Sequence, residues 1–120
     1  MDDSNRRKSA RYEVYLYVEQ IEREERKVHI LNLSSSGFLV RGELAAGVGG
    51  IFHASFRVRP SSGEMRVSTS GRVVHSRRIG HESEYGISIE GFGSPAEESA
   101  YQAYVSELAA RIAAASEKPS

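Results

Sequence analysis

Two short stretches have the residue types and spacing to hold a small anionic ligand. The first, Arg6-Arg7-Lys8-Ser9-Ala10-Arg11, sets four cations between positions 6 and 11. A guanidinium is a planar fork of donors that matches a phosphate or the O6/N7 edge of guanine. Arg7 and Arg11 are four positions apart, so on an extended chain they lie on one side, and on a turned chain they could grip one ligand from two directions. The second stretch is Asn32-Leu33-Ser34-Ser35-Ser36-Gly37. Asn32 and Ser34, two apart, share a side of an extended chain, and an amide beside a hydroxyl can pair with the polar edge of a base. Gly37 permits a positive φ or a close backbone approach. Each stretch also has a plain structural reading. A basic run ahead of the first element can simply be solvated, and Asn, Ser and Gly are ordinary turn formers.

The elements that must position these residues follow from periodicity. Tyr12 to Glu19 alternates, with Val14, Leu16 and Val18 on one face and Glu13, Tyr15, Tyr17 and Glu19 on the other. Period two with β-branched and aromatic residues predicts a strand. Further strands are expected around Lys27–Leu33, Phe38–Arg41, Phe52–Val58, Met65–His75 and Tyr85–Ile89. The charged run 22–26, "SSSG" at 34–37, "AAGVGG" at 45–50 and "PSSG" at 60–63 separate the earlier ones, and "RRIGHES" links the last two. Gly71 marks a bend or bulge within the long strand. The period then changes. Ser94-Pro95-Ala96-Glu97 combines an N-cap serine, proline at the first helical position and glutamate three residues after the cap. Ala100, Tyr101, Tyr104, Val105, Leu108 and Ile112 follow at helical spacing, which predicts an amphipathic helix to about Ala115. The fold class is therefore all-β with a C-terminal helix: six antiparallel strands closed into a barrel, closure being the way to remove exposed edges. The expected division is a flexible basic arm over 1–11, the barrel over 12–93, the helix over 94–115 and a tail over 116–120, in one domain.

Composition narrows the function. The 120 residues suit one core, and formal net charge is zero, with 16 basic and 16 acidic residues. A general nucleic-acid coat needs a broad positive surface, which this balance disfavours. Thirteen of the basic residues are arginine, the residue of two-pronged phosphate and guanine recognition. Without cysteine, disulfides and thiolate metal sites are excluded. Apolar runs fall short of a membrane span, and Met-Asp-Asp-Ser-Asn lacks the basic start and apolar middle of a signal peptide. A cytoplasmic location without membrane attachment is expected.

Arginine-x-x-x-arginine ahead of a first strand, then N-x-S-x-x-G about twenty residues later between two strands, resembles the PilZ domain family. Arg7 and Arg11 match the first motif, and Asn32, Ser34 and Gly37 match the second. "GRVVHSRR" and "EYGISIEGF" look like the family's later strands, and a closing helix is expected there, so the resemblance spans nearly the whole chain. The resemblance implies a PilZ-like β-barrel that binds cyclic di-GMP, a bacterial second messenger with two guanines and two phosphates. It implies that Arg7 and Arg11 grip phosphate and guanine O6/N7 while Asn32 and Ser34 bond a guanine edge. Many members carry Asp where this chain has Asn32, which keeps a carbonyl acceptor without the charge. Arg6, just before the first motif, resembles members that take two stacked ligand molecules, so one or two are expected. The rim candidates are Lys8, Ser36, His75, whose ring could stack on a guanine, and Arg77. The expected mechanism is an arm that becomes ordered on ligand and is read by a downstream protein partner. Two other readings are a PilZ-like interaction module without nucleotide binding, which normally lacks the arginine pair, and a barrel for single-stranded nucleic acid, which needs aromatic platforms along a basic groove.

Other chemistries fit poorly. His29, His53, His75 and His81 have no metal-ligand spacing, and His29 and His53 read as surface or rim residues on strands. No serine lies in G-x-S-x-G, and the only aspartates are Asp2 and Asp3. No enzyme activity and no cofactor besides the ligand is expected.

Overall fold

The computed structural model describes residues 11–21, 28–42 and 47–117. Six strands precede one helix: β1 Tyr12–Ile21, β2 His29–Leu33, β3 Gly37–Gly42, β4 Ile51–Val58, β5 Met65–Ile79, β6 Glu82–Phe92 and α1 Pro95–Glu117. Every strand pair is antiparallel, and the order β1-β2-β3-β6-β5-β4 closes on itself where Val18 to Ile21 pairs with Ala54 to Phe56. The expected six-stranded antiparallel barrel with a C-terminal helix is the fold observed.

Alternation along the strands fills the interior. Val18, Val28, Ile30, Leu33, Phe38, Val40, Phe52, Ala54, Phe56, Val58, Val67, Val73, Tyr85 and Ile87 are all buried. Phe38 lies edge-on to Phe52 and Phe56, with ring centroids 6.2 and 5.6 Å apart. The helix closes this core from one side. Ala100, Tyr101 and Val105 are buried against the barrel, and Tyr104 and Leu108 are partly buried. Tyr101 packs against Phe56 and Phe92 at 6.1 and 5.3 Å. Ile112, expected on the same stripe, is exposed.

The helix begins as its sequence predicts. Ser94 Oγ accepts a hydrogen bond from the Glu97 amide at 3.2 Å, and the Ser94 carbonyl accepts from the Glu98 amide at 3.1 Å. Glu97 Oε1 accepts from the Ser68 amide of β5 at 2.7 Å, so the cap also fastens the helix to the sheet.

Two departures from the expected elements shape the outer surface. "RRIGHES" is not a link. β5 continues through Arg77 to Ile79, Gly80 turns the chain with φ 62°, and β6 starts at Glu82. Cross-strand charge supports the extension: Arg77 pairs with Glu84 in the ladder and donates to its Oε1 at 3.2 Å. The strands also carry bulges. Register shifts between Ile30 and Asn32 in β2, beside the expected shift at Gly71 in β5 and a second between Val73 and His75.

Candidate functional site

The last residue of the first motif, Arg11, precedes β1, which runs beside the end of β2 that carries the second motif. Tyr12 stands opposite Leu33 and Glu13 opposite Asn32. One further step along this antiparallel register brings Arg11 level with Ser34. Arg11 is exposed and makes no hydrogen bond or ion pair among the described residues. The diagonal from Arg11 to Asn32 is short enough for a long side chain to cross. Arg6, Arg7 and Lys8 lie outside the described residues.

The bulge in β2 sorts the second motif. Ile30 and Leu33 both point inward although three positions apart, and Asn32 is half-buried on the outer wall. The Asn32 Oδ1 is fully buried and has no hydrogen-bond partner among the described residues. An unpaired buried acceptor is costly and marks a place where a donor would be welcome. Ser34 is nearly fully buried, and its hydroxyl closes the turn. Its Oγ accepts from the Ser36 amide at 3.3 Å and lies 3.3 Å from the Gly37 carbonyl, to which it donates. The Ser34 amide donates to the same carbonyl at 2.8 Å. Asn32 and Ser34 therefore do different things, one lying half-buried on the outer wall with an unpaired acceptor and the other holding the turn. Ser36 is exposed, with its hydroxyl 3.5 Å from that of Ser34.

Gly37 serves close approach, not a positive φ. A Cβ there would stand 2.2 Å from the Ile87 carbonyl oxygen of β6. That contact lets β3 start directly beside β6, where Gly37 pairs with Ser88.

From Asn32 the ladder carries a row of outer-wall residues across four strands. Asn32 pairs with Leu39, Leu39 with Gly86 and Gly86 with His75. Neighbouring strands are about 4.8 Å apart, so this row is roughly 14 Å long. The His75 ring lies directly over Gly86: a Cβ on that glycine would fall 2.1 Å from His75 Nε2. His75 therefore sits on the outer wall, not at the barrel opening. The missing side chain at Gly86 keeps the wall low between Leu39 and the imidazole.

Alongside runs a charged row. Glu84 is nearly buried between two arginines, accepting from Arg41 of β3 at 2.5 Å and from Arg77 of β5 at 3.2 Å. The Arg41 bond, then the Arg77 bond, hold its carboxyl below the usual range against the opposing effect of burial. Arg77 is thus a strand residue engaged in an ion pair. Beyond Arg41, His29 stacks on the exposed Tyr15 ring, with centroids 4.5 Å apart.

The helix holds the Ser34–Gly37 turn from behind. The Tyr101 hydroxyl donates to the Ser34 carbonyl at 2.7 Å and lies 3.4 Å from that of Gly37, and Gln102 Nε2 donates to the Ser35 carbonyl at 2.9 Å. Burial raises the Tyr101 hydroxyl's pKa, so it stays protonated as a donor. Helical spacing marks Tyr101 only as a packing residue, and its bond to the turn has no local signal. Gly86 has a weak one, a glycine inside a strand, between Tyr85 and Ile87.

Among the described residues no three His, Asp or Glu side chains come together to hold a metal ion, and no helix is long and apolar enough to cross a membrane.

Comparison with known proteins agrees with the fold. The Bacillus subtilis inhibitor of motility (MotI/DgrA) has a similar structure, with a TM-score of 0.71 and 19% identity. The match covers 89% of this chain and 51% of that one, so this chain spans about half the length of that protein. A search of curated proteins found no match. The sequence model of the PilZ domain matches residues 5–107, which include both motifs and every strand. The chain belongs to the PilZ domain family.

Proposed function

We propose that this protein is a receptor for cyclic di-GMP that signals to a protein partner. The observation that carries the reading is the strand register that brings Arg11 level with the Asn32–Gly37 turn. Arg11, Asn32 and an outer wall ending in the His75 imidazole lie on the same run of strands, which supports the reading. In this reading Arg7 and Arg11 take phosphate and the O6/N7 edge of guanine, and Arg6 adds charge for a second ligand molecule. Asn32, whose buried Oδ1 has no hydrogen-bond partner among the described residues, turns its amide to a guanine edge when the ligand binds. Ser34 and Gly37 fix the turn that aims Asn32, and Ser36 lies at its rim. His75 offers a stacking face over Gly86. The ligand's phosphates draw residues 5–11 onto the barrel, and the partner reads the altered wall. Binding and signalling account for these features, and no catalytic step is invoked.

Calorimetric titration with cyclic di-GMP tests this. Arg7→Ala and Arg11→Ala are each expected to weaken binding by about 1.5–3 kcal/mol, the range for a hydrogen bond to a charged group. The melting temperature of the free protein should hardly move, since Arg11 is exposed and makes no hydrogen bond or ion pair among the described residues. The titration also gives one or two ligands per chain. Amide exchange at residues 5–11 should slow with ligand. Absence of binding by the wild type would leave the reading of a PilZ interaction module without nucleotide, and tighter binding of oligo-dT would favour the nucleic-acid reading.

A further inference from the structure

The helix does more than close the core. Consecutive residues, Tyr101 and Gln102, donate to carbonyls of the recognition turn: Ser34 at 2.7 Å from the first and Ser35 at 2.9 Å from the second. The Ser34 and Gly37 carbonyls both lie within reach of the Tyr101 hydroxyl, at 2.7 and 3.4 Å. Those carbonyls belong to the residues that set the direction of Asn32 and the start of β3. The same helix is fastened elsewhere. Glu97 takes the Ser68 amide of β5, and Glu107 takes the amide and hydroxyl of Ser61, both at 2.8 Å, in the turn between β4 and β5. Tyr101 itself is fully buried between Phe56 and Phe92. Its ring therefore cannot follow a displaced turn without disturbing the core, since close-packed interiors do not deform smoothly.

We infer that Tyr101 and Gln102 are positioning residues for the nucleotide site, and that α1 is the element through which occupancy of the turn is transmitted. The inference rests on the proposed cyclic di-GMP reading and adds its route of output. A ligand that fixes the turn fixes the carbonyls to which α1 is bonded, so the free energy of helix docking and that of ligand binding are linked. By reciprocity, loosening the helix contact weakens the ligand by the same factor as the ligand tightens the helix.

The test uses the full chain with Tyr101→Phe, Gln102→Ala and Tyr104→Phe as control. Tyr104 is half-buried on the same helix and makes no hydrogen bond among the described residues. Cyclic di-GMP affinity is titrated, and amide exchange is followed in α1 with and without ligand. Tyr101→Phe keeps the ring packed and removes only the hydroxyl; it should weaken binding about 3- to 10-fold, the effect of one neutral hydrogen bond. Gln102→Ala, at an exposed bond that folding does not need, should weaken it about 2- to 5-fold. The control should not change affinity. In the wild type, ligand should slow exchange at residues 101–106, and Tyr101→Phe should abolish that slowing. A purely structural role would raise exchange throughout the free protein and leave affinity and ligand-dependent protection intact. Wild-type binding with unchanged affinity in both turn variants overturns the inference alone. No wild-type binding overturns the proposed function, and the inference with it.

Discussion

Replacing Glu84 by Gln should cost stability in a manner that depends on pH. The side chain is 9% exposed and lies between Arg41, 39% exposed, and Arg77, 72% exposed. The Arg77 pair is largely in solvent and contributes about 0.2–1 kcal/mol. The Arg41 bond is partly shielded and charge-assisted, and such bonds contribute about 1.5–3 kcal/mol. Glutamine retains an acceptor for one arginine, so the net loss at neutral pH should be about 2 kcal/mol, or roughly 5–10 °C in melting temperature for a domain of this size. The sign with pH is fixed by the direction of the shift. The two arginines lower the folded-state pKa of Glu84 below its unfolded value. Its stabilisation is therefore complete above the unfolded carboxyl pKa and is lost as pH falls through the lower folded one. Urea unfolding of wild type and variant should show a gap at pH 7 that narrows from about pH 5 down to pH 3. Equal stability at pH 7, or a gap that persists undiminished at pH 3, would refute this account of the charged row.

Three further outcomes can be measured on the same protein. Gly37→Ala places a Cβ 2.2 Å from the backbone oxygen of Ile87, where neither strand can yield easily; it should destabilise by about 1–3 kcal/mol in urea unfolding, as overpacked sites do. For Gly86→Ala the nearest atoms to the new Cβ all belong to the His75 ring, an exposed group that can swing away. It should leave the unfolding midpoint within about 0.5 kcal/mol but weaken cyclic di-GMP in a titration by displacing the imidazole. Arg11→Ala should weaken cyclic di-GMP by about 1.5–3 kcal/mol while the melting curve stays unmoved.

Much of the barrel was legible because its signals are local. Alternation in β1 and β4, Gly71 at a bulge, the turn at Pro60–Gly63 and the Ser94–Glu97 cap each follow from neighbours in the chain. The β5–β6 hairpin was not, because its strands are extended by polar residues. Arg77 and Glu84 point outward, and their pairing depends on register rather than on an apolar period. The direction of Asn32 was legible only in part. Simple alternation puts Asn32 and Ser34 on one side, but the shift after Ile30 sets Asn32 on the outer wall while the Ser34 hydroxyl folds into its turn. The hold of α1 on that turn joins residues 67 positions apart and left no trace in the sequence beyond a tyrosine on an apolar stripe.

The solidly packed centre of the barrel has a consequence for any molecule it recognises. Phe38, Phe52 and Phe56 are buried in the middle of the barrel, and Tyr101 closes it from the helix side. In the proposed function the ligand lies against the outer wall, with one flank open to solvent. Such a mode discriminates by charge and base edges and puts little limit on bulk carried on the open flank. A dye attached there would be tolerated, and added salt would loosen the grip by screening the cations that supply it.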